Sequence, residues 1–117
     1  MYLPNEDYVK LHSLEYLEFI RSNHCIVTGS EFVDAHHLEA IGSRGGRNEP
    51  NARHFSAIPI CRELHTELHT IGMHKFQEKY NIQLWQEAMY CFAKWLLIKM
   101  GKDKELQGLT EGQEERE

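Results

Sequence analysis

The chain has 117 residues, 41% of them hydrophobic and 26% charged, with a formal net charge of −5. That describes one ordinary globular domain with a modest core, too short for two. No run approaches the roughly 18 apolar residues of a membrane helix, and MYLPNEDYVK lacks the basic-then-apolar pattern of a signal peptide, so a cytoplasmic location is expected. Three cysteines, Cys25, Cys61 and Cys91, are an odd number without framework spacing, which argues against a disulfide scaffold.

A first helix is predicted to about Ser22, capped by Asn5, with Tyr8, Leu11, Leu14, Leu17 and Ile20 recurring every three residues as its buried face. Residues 24–27 and 32–38 read as short extended segments around a Thr28-Gly29-Ser30 turn. The loop GSRGGRNEPNAR follows, long enough to suggest a function of its own. Residues 55–60 (FSAIPI) read as a second strand, with Pro59 marking an edge or an end. A helix from Cys61 to about Ile71 should stop at Gly72. A short helix over 73–80 and a longer one from about Gln83 to Met100 complete the domain, with Gly101 as the last stop. Trp85, Ala88, Met89, Phe92, Trp95 and Leu96 form an apolar stripe on that last helix and are expected to pack in the core. The domain is therefore expected to span 1–101. Residues 102–117 are polar and acidic and are expected to be disordered.

Negative net charge speaks against a nucleic-acid partner until its distribution is considered. The 103–117 stretch carries most of the deficit, whereas the loop from Gly42 to Arg53 holds three arginines against one glutamate. Arg44, Arg47 and Arg53, with Arg62 at the start of the following helix, are candidates to grip DNA phosphates, since a guanidinium binds phosphate through two parallel hydrogen bonds. Gly42, Gly45 and Gly46 would let the main chain approach the backbone closely.

Histidine is in excess, with eight in the chain. His65 and His69 in CRELHTELH lie four apart, on one helix face, where two imidazoles converge on one metal ion. His36, in DAHHL at the end of the first strand, could supply a third nitrogen. Three protein ligands would leave a coordination position for water or substrate, as catalytic sites require. An all-imidazole site accepts Mg²⁺, Mn²⁺, Ni²⁺ or Zn²⁺ in principle. Asp34, two residues before His36 and so on the same strand face, could accept a hydrogen bond from the far nitrogen of His36. Strand alternation would aim His36 and His37 to opposite faces, so the strand is expected to end or distort there.

Taken together, DAHHL, the Gly-rich loop and HFSAIPICRELHTELHTIG resemble the HNH endonucleases of the ββα-metal (His-Me finger) superfamily, in particular the phage and prophage group of the RecA-dependent nuclease Ref. The resemblance covers about residues 24–85. It implies an α+β, mostly helical fold: a ββα-metal core over about 33–72 with one added helix before it and two after it. It also implies a single-metal endonuclease acting on DNA, with His36, His65 and His69 as metal ligands, His37 as general base and His54 as the residue that orients it. Recombination proteins would be the accompanying partners and, for a phage-encoded chain, the host cytoplasm the location. Many relatives carry a structural zinc on two flanking Cys-x-x-Cys or Cys-x-x-His pairs. Here those positions read Cys25-x-x-Thr28 and Cys61-x-x-Leu64, so half the ligands are missing and two buried thiols packed near each other are expected instead.

A zinc protease would need Glu directly after the first helix histidine, whereas Glu67 comes one place late in His65-Thr66-Glu67. Two further readings stay open: a structural zinc module closing His36, His65 and His69 with Cys61 or His37, and a catalytically inactive nucleic-acid-binding domain.

Overall fold

In the computed structural model, residues 6–39 and 49–101 are described; they form four helices and a two-stranded antiparallel sheet. Helix α1 spans Glu6–Arg21, strand β1 Asp34–His37, a 3-10 helix Ala52–Ser56, and strand β2 Ala57–Ile60. Helices α2 (Arg62–Ile71), α3 (Met73–Tyr80) and α4 (Leu84–Lys99) follow. Asn5, Arg44, Arg47, the loop glycines and the acidic 102–117 stretch lie outside the described residues. Among the described residues no helix is long and apolar enough to cross a membrane.

The helix stops fall where Gly72 and Gly101 were expected to put them. Both glycines have positive φ, 86° and 72°, a conformation that a Cβ disfavours and glycine adopts without cost. Asn81 ends α3 in the left-handed region at φ 51°, a role asparagine tolerates better than other side chains.

The buried face of α1 differs from the three-residue pattern. Ser13, Tyr16, Leu17 and Ile20 are buried, whereas Leu11 is 73% exposed and Tyr8 lies half in solvent. Each step of three residues falls about 60° short of a full turn, so five such positions wrap around the helix instead of sharing a face. The true face is the i, i+3, i+4, i+7 set. On α4 the same geometry buries Leu84, Ala88 and Trp95 and turns Trp85 and Met89 out to solvent, so only part of the expected stripe is core.

The strands are shorter than their apolar runs. Residues 24–30 form a tight turn, in which Gly29 N donates to Cys25 O and Cys25 N to Ser30 O, and pairing in β1 begins only at Asp34. Phe55, expected in a strand, lies in the 3-10 helix, which Asn51 caps by accepting from Arg53 N through its side chain. Register is regular through the site: His36 pairs with Ile58 and His37 with Ala57, where β1 ends. Pro59, which has no N–H to give, sits opposite Ala35 and uses its carbonyl to accept from Ile26 N.

Every residue of β2 is buried, and the strand divides two cores. Ile58 and Ile60 pack with Leu68 of α2, Phe76 of α3 and Leu84 and Ala88 of α4. Ala57 packs on the other side with Tyr16, Leu17 and Ile20 of α1 and Trp95 of α4. Full burial of a side chain such as Ile58 or Phe76 contributes about 1.5–3 kcal/mol. Tyr16 and Trp95 meet edge to face at 5.3 Å, joining the first and last helices over the 3-10 segment. These cores hold β1, the 3-10 helix and α2 rigidly enough for their polar side chains to share one cleft.

Candidate metal centre and adjoining cleft

β1 and α2 bring three imidazoles together. His36 Nδ1 lies 3.1 Å from His65 Nε2, and His69 Nε2 lies 3.1 Å from the same His65 nitrogen. The three ligand atoms all fall within 4.8 Å of one another. Metal–nitrogen bonds of about 2.0–2.1 Å at tetrahedral angles separate their nitrogens by about 3.3 Å. His36, His65 and His69 can therefore hold a metal ion, as the sequence pattern implied. Burial, and then the charges of His65 and His69, pull the pKa of His36 down to about 4. Its ring is neutral near pH 7, as a ligand nitrogen must be.

Asp34 does touch the cluster, but through a different ring from the one expected. Its Oδ2 accepts from His65 Nδ1 at 3.1 Å, not from His36. Asp34 and His36 share a strand face, yet His36 presents Nδ1 to the cluster, while His65 on α2 turns its second nitrogen back toward β1. The carboxylate thereby fixes the His65 tautomer with Nε2 as the ligand nitrogen. Arg62 forks onto the same carboxylate, Nε to Oδ2 at 2.7 Å and Nη2 to Oδ1 at 3.1 Å. Chiefly through that contact the Asp34 carboxyl is held down at about 2. Arg62, expected as an assistant in gripping DNA, is thus already engaged by a carboxylate.

His37 belongs to a second, adjoining arrangement. Its Nε2 lies 2.8 Å from His54 Nδ1, and His54 Nε2 lies 2.8 Å from the backbone oxygen of Glu49. A carbonyl only accepts, so His54 Nε2 carries a proton and donates it. Complete burial lowers the pKa of His54 and keeps it neutral, which leaves Nδ1 as an acceptor for His37 Nε2–H. His54 therefore holds His37 through its side chain, and the chain of bonds assigns the basic nitrogen of His37 to Nδ1.

Both arrangements open into one cleft of about 710 Å³, lined by His36, His37, His65 and His69 together with Asp34, Arg21, Arg53 and Arg62. His36 and His37 keep the alternation of a regular strand, with different ring partners, and still border the same space because β1 ends at His37. Arg53, expected on the loop as a candidate to grip DNA phosphates, lies in the 3-10 helix and is 5% exposed. Arg21 was not anticipated as a site residue. The one signal was a basic residue at the end of a predicted helix, with nothing local to say that this end reaches the cleft. Cys61 stands apart at the start of α2, buried against Cys25 as the sequence suggested, so it does not close the imidazole cluster as a fourth ligand.

Fold and site define a small, mostly helical α+β domain with a three-imidazole centre at an open cleft. The chain belongs to the family described as protein of unknown function DUF968, whose pattern matches residues 1–94. It is 34% identical over 70 residues to the uncharacterized protein YdfU of Escherichia coli K12, a match covering 60% of this chain and 19% of YdfU. The chain thus corresponds to a minor part of that relative's length. No solved structure matches it.

Proposed function

We propose that the domain is a metal-dependent endonuclease of the HNH, ββα-metal type that hydrolyses phosphodiester bonds in DNA. One observation carries this reading: a His37–His54–Glu49 chain of hydrogen bonds opens into the same cleft as the His36, His65 and His69 cluster. The β1, β2, α2 succession supports this reading, because a ββα-metal core needs its elements in that order. His36, His65 and His69 would hold one divalent ion, Mg²⁺, Mn²⁺, Ni²⁺ or Zn²⁺, which supplies Lewis-acid neutralisation of charge on the phosphoryl oxygens. His37 accepts a proton at Nδ1 from the attacking water. Water oxygen bonds to phosphorus, the bond to the 3′ oxygen breaks, and the leaving oxygen takes a proton from solvent. His54 keeps His37 in the productive tautomer, and Asp34 does the same for His65.

DNA is the partner this reading requires, with phage or prophage recombination in a host cytoplasm as its setting. Incubating the purified domain with plasmid and each of the four ions, with and without chelator, tests it. Metal-dependent conversion of supercoiled plasmid to nicked or linear forms, lost in His37→Ala, is expected. Full metal binding without cleavage under any ion would instead favour the inactive binding module.

A further inference from the structure

Arg53 combines two properties that do not normally coexist. The residue is only 5% exposed, yet its buried Nε and Nη1 have no hydrogen-bond partner among the described residues. A guanidinium stays protonated at any working pH, and enclosing an unpaired charge is costly enough that buried arginines are ordinarily matched by an anion. Among the described residues two carboxylates line the cleft: Asp34 is committed to Arg62 and His65, and Glu39 makes no hydrogen bond or ion pair to Arg53. Arg21, at the end of α1, lines the same cleft and, like Arg53, lies close enough to His54 to disfavour its protonated form. Its pairing with Glu18, at 2.9 Å, is largely exposed and therefore weak, so Arg21 is available to another anion. A metal ion in the imidazole cluster would add further positive charge to this cleft.

We infer that Arg53, with Arg21 beside it, forms a phosphoryl-binding wall of the cleft, contacting the non-bridging oxygens of the phosphate that His37 faces. This rests on the nuclease reading for the identity of the phosphate as a nucleic-acid diester, but not for the presence of an anion site. Arg53 is in this role a catalytic residue and not a general grip on the backbone. It is preset by the 3-10 helix: Asn51 accepts from its N–H, and Ser56 Oγ donates to its carbonyl at 2.7 Å. Two hydrogen bonds from a planar fork would orient the phosphate as well as neutralise it, which lysine cannot reproduce.

The test uses the metal-free full chain and two probes, inorganic phosphate and a short oligothymidylate, followed by calorimetry and by NMR shifts of the cleft residues. Phosphate should bind the parent, and Arg53→Met should weaken it by more than about tenfold, the scale of a charged hydrogen bond. Arg53→Lys should give an intermediate loss, and Arg21→Gln, at a half-exposed position that threatens no core, a smaller one. Thermal melting in parallel identifies any variant that fails to fold; if Arg53→Met does, Arg53→Lys and Arg21→Gln decide. Unchanged phosphate affinity in folded Arg53 and Arg21 variants would overturn the inference. Displacement of phosphate by the oligonucleotide supports the diester as its ligand. Arg53-dependent phosphate binding that the oligonucleotide cannot displace keeps the anion site and rejects the nuclease reading, so the two fail separately.

Discussion

Two groups of potential ligands sit at opposite extremes of exposure on the same framework. His36, His65 and His69 border an open cleft, with the last of them exposed. Cys25 and Cys61, brought together by the 25–30 turn and the start of α2, are 4% and 6% exposed and belong to the larger core. The imidazoles face the cleft, whereas the thiols are enclosed in the core, where burial raises the Cys61 pKa. Ligand-type residues brought together are therefore not sufficient for a working site. An approach from solvent separates the first group from the second.

The largest effect that sharpens this contrast is expected from His65→Ala. His65 is the nitrogen shared by both 3.1 Å contacts, so its loss removes the middle of the cluster. Metal affinity should fall by more than about 100-fold, beyond the range of outer-sphere changes, and any metal-dependent cleavage with it. The melting temperature in chelator should barely move, because the ring contributes little to either core. Calorimetric titration with Zn²⁺ checks this, and retention of parental affinity would mean that the ion binds elsewhere.

His37→Ala should separate chemistry from binding. If the proposed nuclease function holds, cleavage should drop by about 10²–10⁴, the range for a lost general base, while metal affinity stays near the parent's, since His37 bonds to His54. If this variant lost its metal while His65→Ala kept it, the two roles would have to be exchanged. Asp34→Asn is expected to be milder. The carboxylate orients His65 without being a ligand, so affinity should fall by about 10- to 100-fold. An unchanged affinity would reduce Asp34 to a surface partner of Arg62.

Much of this was legible in the sequence for reasons that can be named. The helix stops at Gly72 and Gly101 and the face shared by His65 and His69 follow from local geometry, which a sequence carries in full. The cluster was legible because its spacing is helical on one side and a strand end on the other. What was lost depends on relations across elements. Asp34 could be given a partner on its own strand from alternation, but the true partner lies on α2, 31 positions away. Arg53 looked like a loop arginine because the 3-10 helix around it is set by one capping residue, Asn51, and by packing under Tyr16. Arg21 reaches the cleft only because α1 packs across β2, which no local pattern encodes.

The smallest effect tests the closed half of the comparison. Burial raises the Cys25 thiol, but the Thr28 hydroxyl and the backbone N–H groups of Thr28, Val27 and Cys61 outweigh it and bring the pKa down to about 7. An acid whose folded pKa is depressed adds stability that is complete above its unfolded value, near 9, and is lost as pH falls through about 7. Cys61 is shifted the other way, first by burial, so its contribution is present below the unfolded value and fades only at higher pH. Between pH 7 and 9 the parent should therefore gain stability over Cys25→Ser, measured by urea denaturation at each pH under reducing conditions. Serine keeps the hydrogen-bond geometry but does not ionise in that window, so the difference isolates the thiolate. Metal affinity and cleavage should be unaffected, because the thiol pair is closed to the cleft. A stability difference constant from pH 7 to 9 would mean that Cys25 stays a neutral thiol. A fall in metal affinity would mean that the two ends of α2 are coupled, and the contrast between the open cluster and the closed pair would no longer hold.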